Sequence, residues 1–443
     1  MQAETTGTTF QASAGYRNYV IWLLFVVYVF NFIDRQILSI LIQPIKEEFA
    51  LTDTQLGLLG GLAFAIFYTA LGIPIARWAD KNNRVKVISV SLLIWSCFTA
   101  VTGLARNFHH LLITRILVGV GEAGCSPPAY SLISDYFPLQ KRSTALSIYS
   151  MGIYTGIFLG FLVGGYVAQA FGWRAAFYVV GLPGVLLALI VRLTLREPPR
   201  GFSDAVRAEA GPPPISDVLR QLWEKHSFRH LSLAGALHSF VGYGVTGFFS
   251  AFLIRSHGMT LSEVGIWLAV IYSLGGVTGT FLGGFLSDRL SSQNNDSRYQ
   301  LWVPAIATLL NVPFALLAYL LPEKFLVLAL MIPAQACGAA FLGPTFAVTQ
   351  GLVSVRERAL AGSVLLLIVN LIGLGLGPLA VGMLSDVFQF RLMAQGHSLA
   401  DATAQGLRWS LCVMMCVNFW AAFHYMKAAH TLRENLAAGS STV

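Results

Sequence analysis

The chain has 443 residues, of which 55% are hydrophobic and only 11% are charged. A soluble domain carries about 25% charged residues, so this composition excludes an ordinary soluble protein and indicates a membrane protein. The formal net charge of +8 follows from basic residues concentrated at one membrane face, so it gives no reason to expect nucleic-acid binding.

Turn residues and charge clusters divide the chain into about twelve apolar segments, each near the ~20 residues that a helix needs to cross a bilayer. Six predicted spans lie at 17–42, 55–77, 85–104, 109–134, 142–170 and 174–196. Six more lie at 229–256, 262–287, 300–321, 325–350, 357–386 and 405–428. The sequence therefore predicts an all-α multi-pass membrane protein with an N-terminal six-helix bundle (17–196), a Pro-rich cytoplasmic linker (197–228) and a C-terminal six-helix bundle (229–430). One amphipathic helix is expected in the linker, near 215–225.

Most of the 29 Lys and Arg residues would lie on the membrane face that holds both chain ends. The positive-inside rule then places both termini in the cytoplasm, in a cell (inner) membrane. Five cysteines occur singly, and the sequence has no nucleophile motif, metal-ligand cluster or phosphate loop. An enzyme or a receptor is therefore the less favoured class, and no metal or cofactor is expected.

The two halves of the chain repeat each other. Residues 51–81 align with 259–289 at a constant offset, and each segment ends in an acid followed by a base, with Asp80 matching Asp288. Such a parallel duplication is typical of transporters with a substrate site between two halves. Charge contacts between the halves are predicted at the cytoplasmic ends, against the alternative of solvated surface charges. The four candidates are Asp80, Arg84, Asp288 and Arg289.

Four motifs resemble those of the major facilitator superfamily. They are IARWADKNNRVK (75–86), RILVGVGEAG (115–124), GIYTGIFLGFLVGG (152–165) and GGFLSDR (283–289). The resemblance implies two six-helix bundles related by a pseudo-twofold axis, and a secondary transporter.

Three further stretches resemble the spinster branch of that superfamily, whose animal members move lysolipids and sphingosine phosphate. They are FNFIDRQILS (30–39), GLAFAIFYTALGIPIARWAD (61–80) and GVGEAGCSPPAYSLISDYFP (119–138). The resemblance implies a transporter of a lysolipid-like or sphingolipid-like amphiphile with an anionic headgroup. Proton coupling, argued from the buried charges below, and a monomeric state are expected alongside it. Because sugar-acid and organic-acid symporters share parts of these motifs, a proton symporter for a small acid is the alternative.

Charged residues inside the first and fourth predicted helices are the main candidates for the site. At 1.5 Å per residue, Asp34 and Arg115 lie about 12 Å and about 9 Å below the same surface, so a salt bridge between them is expected. Glu122 lies nearly two turns beyond Arg115 on the same helix face. Because charges in the bilayer are costly, a shared water-filled cavity is predicted for all three, against the alternative of a static ion pair joining two helices.

These residues receive distinct predicted roles. Asp34 and Arg115 couple the proton, because a protonated Asp34 releases the guanidinium to bind an anionic headgroup. Arg115, Glu122 and Asn31 contact the substrate. Arg35 is rotated by about 100° from Asp34, so it is expected to point elsewhere, in a structural or gating role.

The second half has no Asp, Glu or Lys at mid-depth, so its wall suits a hydrocarbon tail, although plain packing is the alternative for its aromatic residues. Candidates for lining that wall are Phe240 and Tyr243 above all, then Phe248, Phe249, Phe252, Phe341 and Phe346.

Glycine stripes in the fifth and eighth predicted helices permit close helix packing. They serve either rigid packing or a sliding surface between the halves. The residues are Gly152, Gly156, Gly160 and Gly164, with Gly275, Gly279 and Gly283 as the counterpart.

Overall fold

The computed structural model describes residues 12–203, 215–354 and 357–440, and within these ranges every regular element is helical. The first half contains α1 (Ala14–Phe49), α2 (Asp53–Gly60), α3 (Leu62–Lys81), α4 (Arg84–Thr102), α5 (Phe108–Glu122), α6 (Ser126–Tyr136), α7 (Leu139–Phe171) and α8 (Trp173–Thr194). A short helix, α9 (Ile215–Glu224), precedes the second half. The second half contains α10 (His226–His257), α11 (Leu261–Val270), α12 (Gly276–Gln293), α13 (Tyr299–Leu320), α14 (Lys324–Ala339), α15 (Leu342–Gly351), α16 (Arg358–Val369), α17 (Gly377–Ala394) and α18 (Leu399–Ser440). Two π-helical turns, Ile271–Gly275 and Asn370–Leu376, join α11 to α12 and α16 to α17.

Eleven helical segments of the described chain are long and apolar enough to cross a membrane. The remaining predicted span, 109–134, is divided into two helices. Helix α5 ends at Glu122, and α6 begins at Ser126. Pro127 and Pro128 follow at once in the first turn of α6, where a missing backbone donor is tolerated. The break therefore lies beside a buried carboxylate, at mid-depth in the first half.

The repeat of the two halves is visible in the helix starts. Thr52 and Gln55 form a capping box at the start of α2, and Thr260 and Glu263 form the matching box at the start of α11. In each box the threonine side chain accepts from a backbone N–H, and the longer side chain accepts from the N–H of the threonine. The predicted helix in the linker is α9, whose Val218 and Leu222 are fully buried. Residues 204–214 of the linker lie outside the described residues.

The glycine stripes pack within each half, so their interpretation as a sliding surface between the halves is wrong. A Cβ on Gly156 would lie 2.6 Å from the Phe32 side chain, and one on Gly160 would lie 3.0 Å from Gln36, both on α1 of the same half. The stripe on α12 likewise faces α14, its neighbour in the second half. The stripes therefore serve close packing within each half, because glycines without side chains let two helices of one bundle approach closely. Other glycines do make contacts between the halves, among them Gly165 with Gly265 and Gly61 with Gly375.

Candidate functional site

Helices α1 and α5 bring together four buried charges near the middle of the first half. The first pair is Arg35 and Glu122, whose Nε and Oε2 atoms lie 2.7 Å apart, with side chains 14% and 0% exposed. Arg35 was expected to point elsewhere than Asp34, and its contact with Glu122, which was assigned to the cavity of Asp34 and Arg115, was not predicted. An arginine side chain leans toward the N-terminus of its helix, which for α1 is the end level with Glu122.

The second pair is Asp34 and Arg115, as predicted, but it is looser. Their closest atoms, Oδ1 and Nη1, are 4.0 Å apart. Asp34 also accepts a hydrogen bond from the Thr99 hydroxyl of α4. A cavity of about 10 Å³, the size of one water molecule, lies against this pair and is walled by Phe177 of α8. Asp34 and Arg115 therefore face the interior of the first half.

Aromatic rings join the two pairs into one cluster. The guanidinium carbons of Arg35 and Arg115 lie 5.3 Å and 4.9 Å from the centre of the same Phe64 ring. Arg35 also lies 4.6 Å from the centre of the Tyr68 ring and 5.2 Å from that of Phe32. A ring face attracts a cation at these distances, so the rings hold both guanidiniums in place without neutralising them.

Several buried polar atoms of the cluster have no hydrogen-bond partner among the described residues. They are Nε of Arg115, Oε1 of Glu122 and both amide atoms of Asn31. Asn31 lies next to Glu122, at a geometry short of a hydrogen bond, and is 1% exposed. Unpaired buried polar atoms are costly, so their concentration at one place is typical of a binding site.

The second half contributes fewer residues to the site than predicted. Tyr243 of α10 is 36% exposed and lies within electrostatic range of Arg35, and Phe240 is half-buried. Three other phenylalanines of α10 are fully buried in a hydrophobic core that includes residues of both halves, so they do not line an open site as predicted. They are Phe248, Phe249 and Phe252. Phe341 packs on the ring of His238, with 4.3 Å between centroids.

The predicted charge contacts between the halves at the cytoplasmic ends are not found for three of the four candidates. Arg84 is fully buried and pairs with Asp135 of its own half at 2.5 Å and with Glu197 at the start of the linker at 2.6 Å. It turns inward because it opens α4 directly above these two carboxylates. Asp288 and Arg289 are exposed and make no ion pair with a described residue. The side chain of Asp80 lies outside the described part of the chain.

Four residues of the cluster, Phe32 among them, were not predicted as site residues. Phe64 and Tyr68 occupy positions i and i+4 of α3, and their spacing places both on one helix face toward Arg35. This pattern could have been found in the sequence. Thr99 carried no signal, because a single threonine in an apolar helix is ordinary.

Two helical halves with a buried cluster of compensated charges define a multi-pass membrane transporter rather than an enzyme. The profile of the Major Facilitator Superfamily matches residues 24–295, and the chain belongs to that superfamily.

Among solved structures, the chain is similar to a bacterial homolog of the human lysosomal transporter Spinster in an inward-facing, unoccupied conformation. The identity is 36%, the TM-score is 0.88, and the match covers 96% of this chain and 99% of the other. This likeness confirms the resemblance to the spinster branch.

Curated relatives point to more than one kind of transported molecule. An MFS-type efflux pump of Mycolicibacterium smegmatis is 34% identical over 84% of this chain and 85% of its own length. Protein spinster homolog 1 of Mus musculus is 29% identical over 84% of this chain and 74% of its own. The hexuronate transporter of Bacillus subtilis is 26% identical over 61% and 64%. The chain is thus related both to spinster proteins and to transporters of acidic sugars.

Proposed function

We propose that the protein is a proton-coupled secondary transporter that moves a lysolipid-like or sphingolipid-like amphiphile with an anionic headgroup by alternating access. The observation that carries the proposal is the cluster of two carboxylates and two guanidiniums buried between α1 and α5. The positive and negative charges of the cluster are equal in number: Arg35 pairs with Glu122 at 2.7 Å, and Arg115 lies 4.0 Å from Asp34.

The charge balance links a proton to an anion. With all four groups ionised the cluster is neutral, so an arriving phosphate or carboxylate finds each guanidinium already compensated. Protonating one carboxylate leaves one guanidinium without a partner, and an uncompensated charge inside a bilayer is costly. Binding an anionic headgroup removes that cost. Asp34 is the proposed proton site because its contact with Arg115 is the looser of the two.

The surroundings of the cluster support an amphiphile as the substrate. The charges belong to the first half, whereas the aromatic Tyr243 of the second half lies within electrostatic range of Arg35, and Phe240 stands three residues before it on α10. A headgroup at the cluster would therefore direct its hydrocarbon tail to the second half. In the proposed orientation both termini are cytoplasmic, the protein lies in the inner membrane, and it works as a monomer.

A second candidate function is proton symport of a small sugar acid or organic acid. The similarity to the hexuronate transporter favours it, and a carboxylate could occupy the same guanidinium. Counterflow in proteoliposomes separates the two candidates. A labelled lysophospholipid and a labelled hexuronate are offered to the same vesicles, and the amphiphile is expected to exchange while the hexuronate is not. The reverse result would favour the symporter.

Asp34→Asn tests the proton site. The variant is expected to retain counterflow of the labelled lysophospholipid but to lose the response of uptake to a pH gradient. Glu48→Gln serves as the matched control, because Glu48 lies on the same helix and pairs with Arg174 at 2.6 Å, with both side chains more than a third exposed. Unchanged pH dependence in Asp34→Asn would show that this carboxylate does not carry the coupled proton.

A further inference from the structure

The two halves are joined at the α1–α2 turn by a carboxylate that the sequence did not single out. Asp53 is fully buried although it stands in the first turn of α2. The guanidinium of Arg255, on α10 of the other half, donates to both carboxylate oxygens, at 2.7 Å and 2.9 Å. Ser385 of α17 donates to Oδ2 at 2.6 Å. Asp53 thus binds two helices of the second half at once.

A second carboxylate, which belongs to the second half, contacts the first half at the same place. Asp386 of α17 accepts from the backbone N–H of Asp53 at 2.9 Å and from that of Thr54 at 2.8 Å. It also accepts from the Thr54 hydroxyl at 2.6 Å. These N–H groups are the free donors at the start of α2, where a negative charge is favoured by the helix dipole. Each half therefore contributes one carboxylate to the contact.

Asp53 has one more partner, and this one belongs to its own half. Nζ of Lys46, on α1, lies 2.6 Å from Oδ1. Separation of the halves at this face would remove Arg255 and Ser385 but leave Lys46 in place. Since a buried carboxylate without a counter-ion is costly, Lys46 keeps Asp53 compensated while the halves part.

The opposite end of the molecule has no such contact among the described residues. Asp288 and Arg289 are exposed there, whereas Asp53 and Arg255 are 0% and 5% exposed. The two faces thus differ: the α1–α2 face is closed by a buried ion network, and the face bearing the loop after α12 is not.

We infer that Asp53 is the latch that holds the two halves together at the α1–α2 face, with Arg255 as its closing partner and Lys46 as the counter-ion that makes opening possible. The inference rests on the alternating access proposed above and adds the residues that control one of its two gates. The two cations have opposite effects: Arg255 stabilises only the closed state, whereas Lys46 also stabilises the open one.

Ser250 provides a reporter for this gate. Its hydroxyl, on α10, donates to the carbonyl of Ser39 on α1, and the residue is 0% exposed. It lies five residues before Arg255, about 7.5 Å deeper along the helix. Ser250→Cys changes one atom, and a maleimide can reach the thiol only when the halves part at this face. Labelling of the purified protein in nanodiscs, with the five native cysteines replaced by alanine, measures opening without substrate or a proton gradient.

Four variants in the Ser250→Cys background test the latch. Asp53→Asn and Arg255→Gln are each expected to speed labelling by about tenfold or more, because each removes charge-assisted hydrogen bonds that exist only in the closed state. Lys46→Gln is expected to slow it. Glu263→Gln is the matched control, because Glu263 lies at the same face but pairs with Lys324 of its own half. Its labelling is expected to stay within about twofold of the parent, since exposed ion pairs contribute little.

The opposite signs for Arg255 and Lys46 are the decisive readout. A merely structural role for Asp53 would make both cation variants shift labelling in the same direction, and that result would overturn the inference. So would equal labelling of Asp53→Asn and Glu263→Gln. If Asp53→Asn does not fold, the labelling rates of Arg255→Gln and Lys46→Gln still test the inference. Neither outcome bears on proton coupling, which the Asp34→Asn transport assay tests separately.

Discussion

Glu122→Gln should strengthen anion binding at the cluster at pH 8, where the wild-type cluster is fully ionised. The carboxylate of Glu122 compensates Arg35 at 2.7 Å and is 0% exposed. The amide is uncharged, so the variant cluster carries at least one uncompensated guanidinium at every pH, whereas the wild-type cluster carries one only when Asp34 is protonated. A charge-assisted hydrogen bond is worth about 1.5–3 kcal/mol, and 1.4 kcal/mol is a factor of ten in affinity. At pH 8 we therefore expect the variant to bind a phosphate-headed lysolipid about 10- to 100-fold more tightly than the wild type.

The assay is equilibrium binding of a fluorescent lysolipid to protein in nanodiscs at pH 6 and pH 8. The advantage of the variant should shrink at pH 6, because protonation of Asp34 then leaves the wild-type cluster with an uncompensated guanidinium of its own. Glu48→Gln, on the exposed end of α1, should bind like the wild type at both values. Weaker binding by Glu122→Gln at both pH values would refute the reasoning, because it would show that the carboxylate contacts the ligand directly through its unpaired Oε1.

Two further predictions concern stability in detergent. Gly156→Ala should lower the free energy of unfolding by about 2 kcal/mol, because the added Cβ would lie 2.6 Å from Val29 and Phe32 atoms of α1. Gly72→Ala, where nothing lies within 4 Å, should be neutral or stabilising by up to about 1 kcal/mol; equal losses in both would contradict the packing argument. Hydrogen bonds from Arg298 hold the pKa of Asp296 at about 2, below the unfolded value of about 3.9. The ionised carboxylate therefore stabilises the fold above pH ~4, and this contribution is lost as the pH falls toward 2. Asp296→Asn should lower the melting temperature equally at pH 7 and pH 5, and the difference should narrow below pH 4; a constant difference would argue against the linkage.

The general fold could be predicted because apolar length and repeated motifs are direct consequences of crossing a bilayer. The duplicated segments ending at Lys81 and Arg289 predicted two related halves, and the superfamily match confirms the class. The division of the fourth span at Glu122 was not predicted. Hydropathy averages over a window, so one buried carboxylate followed by Ser126 and two prolines leaves the average apolar while the helix ends.

Partners across the halves could not be predicted, for a different reason. Arg84 and Asp53 both looked like charges at helix ends. The structure buries the first within its own half and the second against Arg255 of the other. Which of these happens depends on the tilt and spacing of helices far apart in sequence, and no local pattern encodes that. The repeat even misleads here, because it equates Asp80 with Asp288 and so suggests a symmetric contact at the wrong face.

Two consecutive residues of α1, Asp34 and Arg35, explain why only one of the two charge pairs was predicted. The predicted depth of each residue in the membrane was enough to pair Asp34 with Arg115, and the structure brings them within 4.0 Å. The same depths did not reveal the second pair. Arg35 is rotated by about 100° from Asp34 and reaches Glu122, which lies one and a half to two turns beyond Arg115 along α5. The two pairs lie on different sides of α1: Asp34 faces the small cavity inside the first half, and Arg35 faces Tyr243 of the second. On the proposed mechanism, the proton site Asp34 lies one peptide bond from Arg35, which holds Glu122, while Arg115 is the guanidinium that becomes free for the anion. Any rotation of α1 that changes access to Asp34 must also change the contact of Arg35 with Glu122, so both charge pairs respond to one movement.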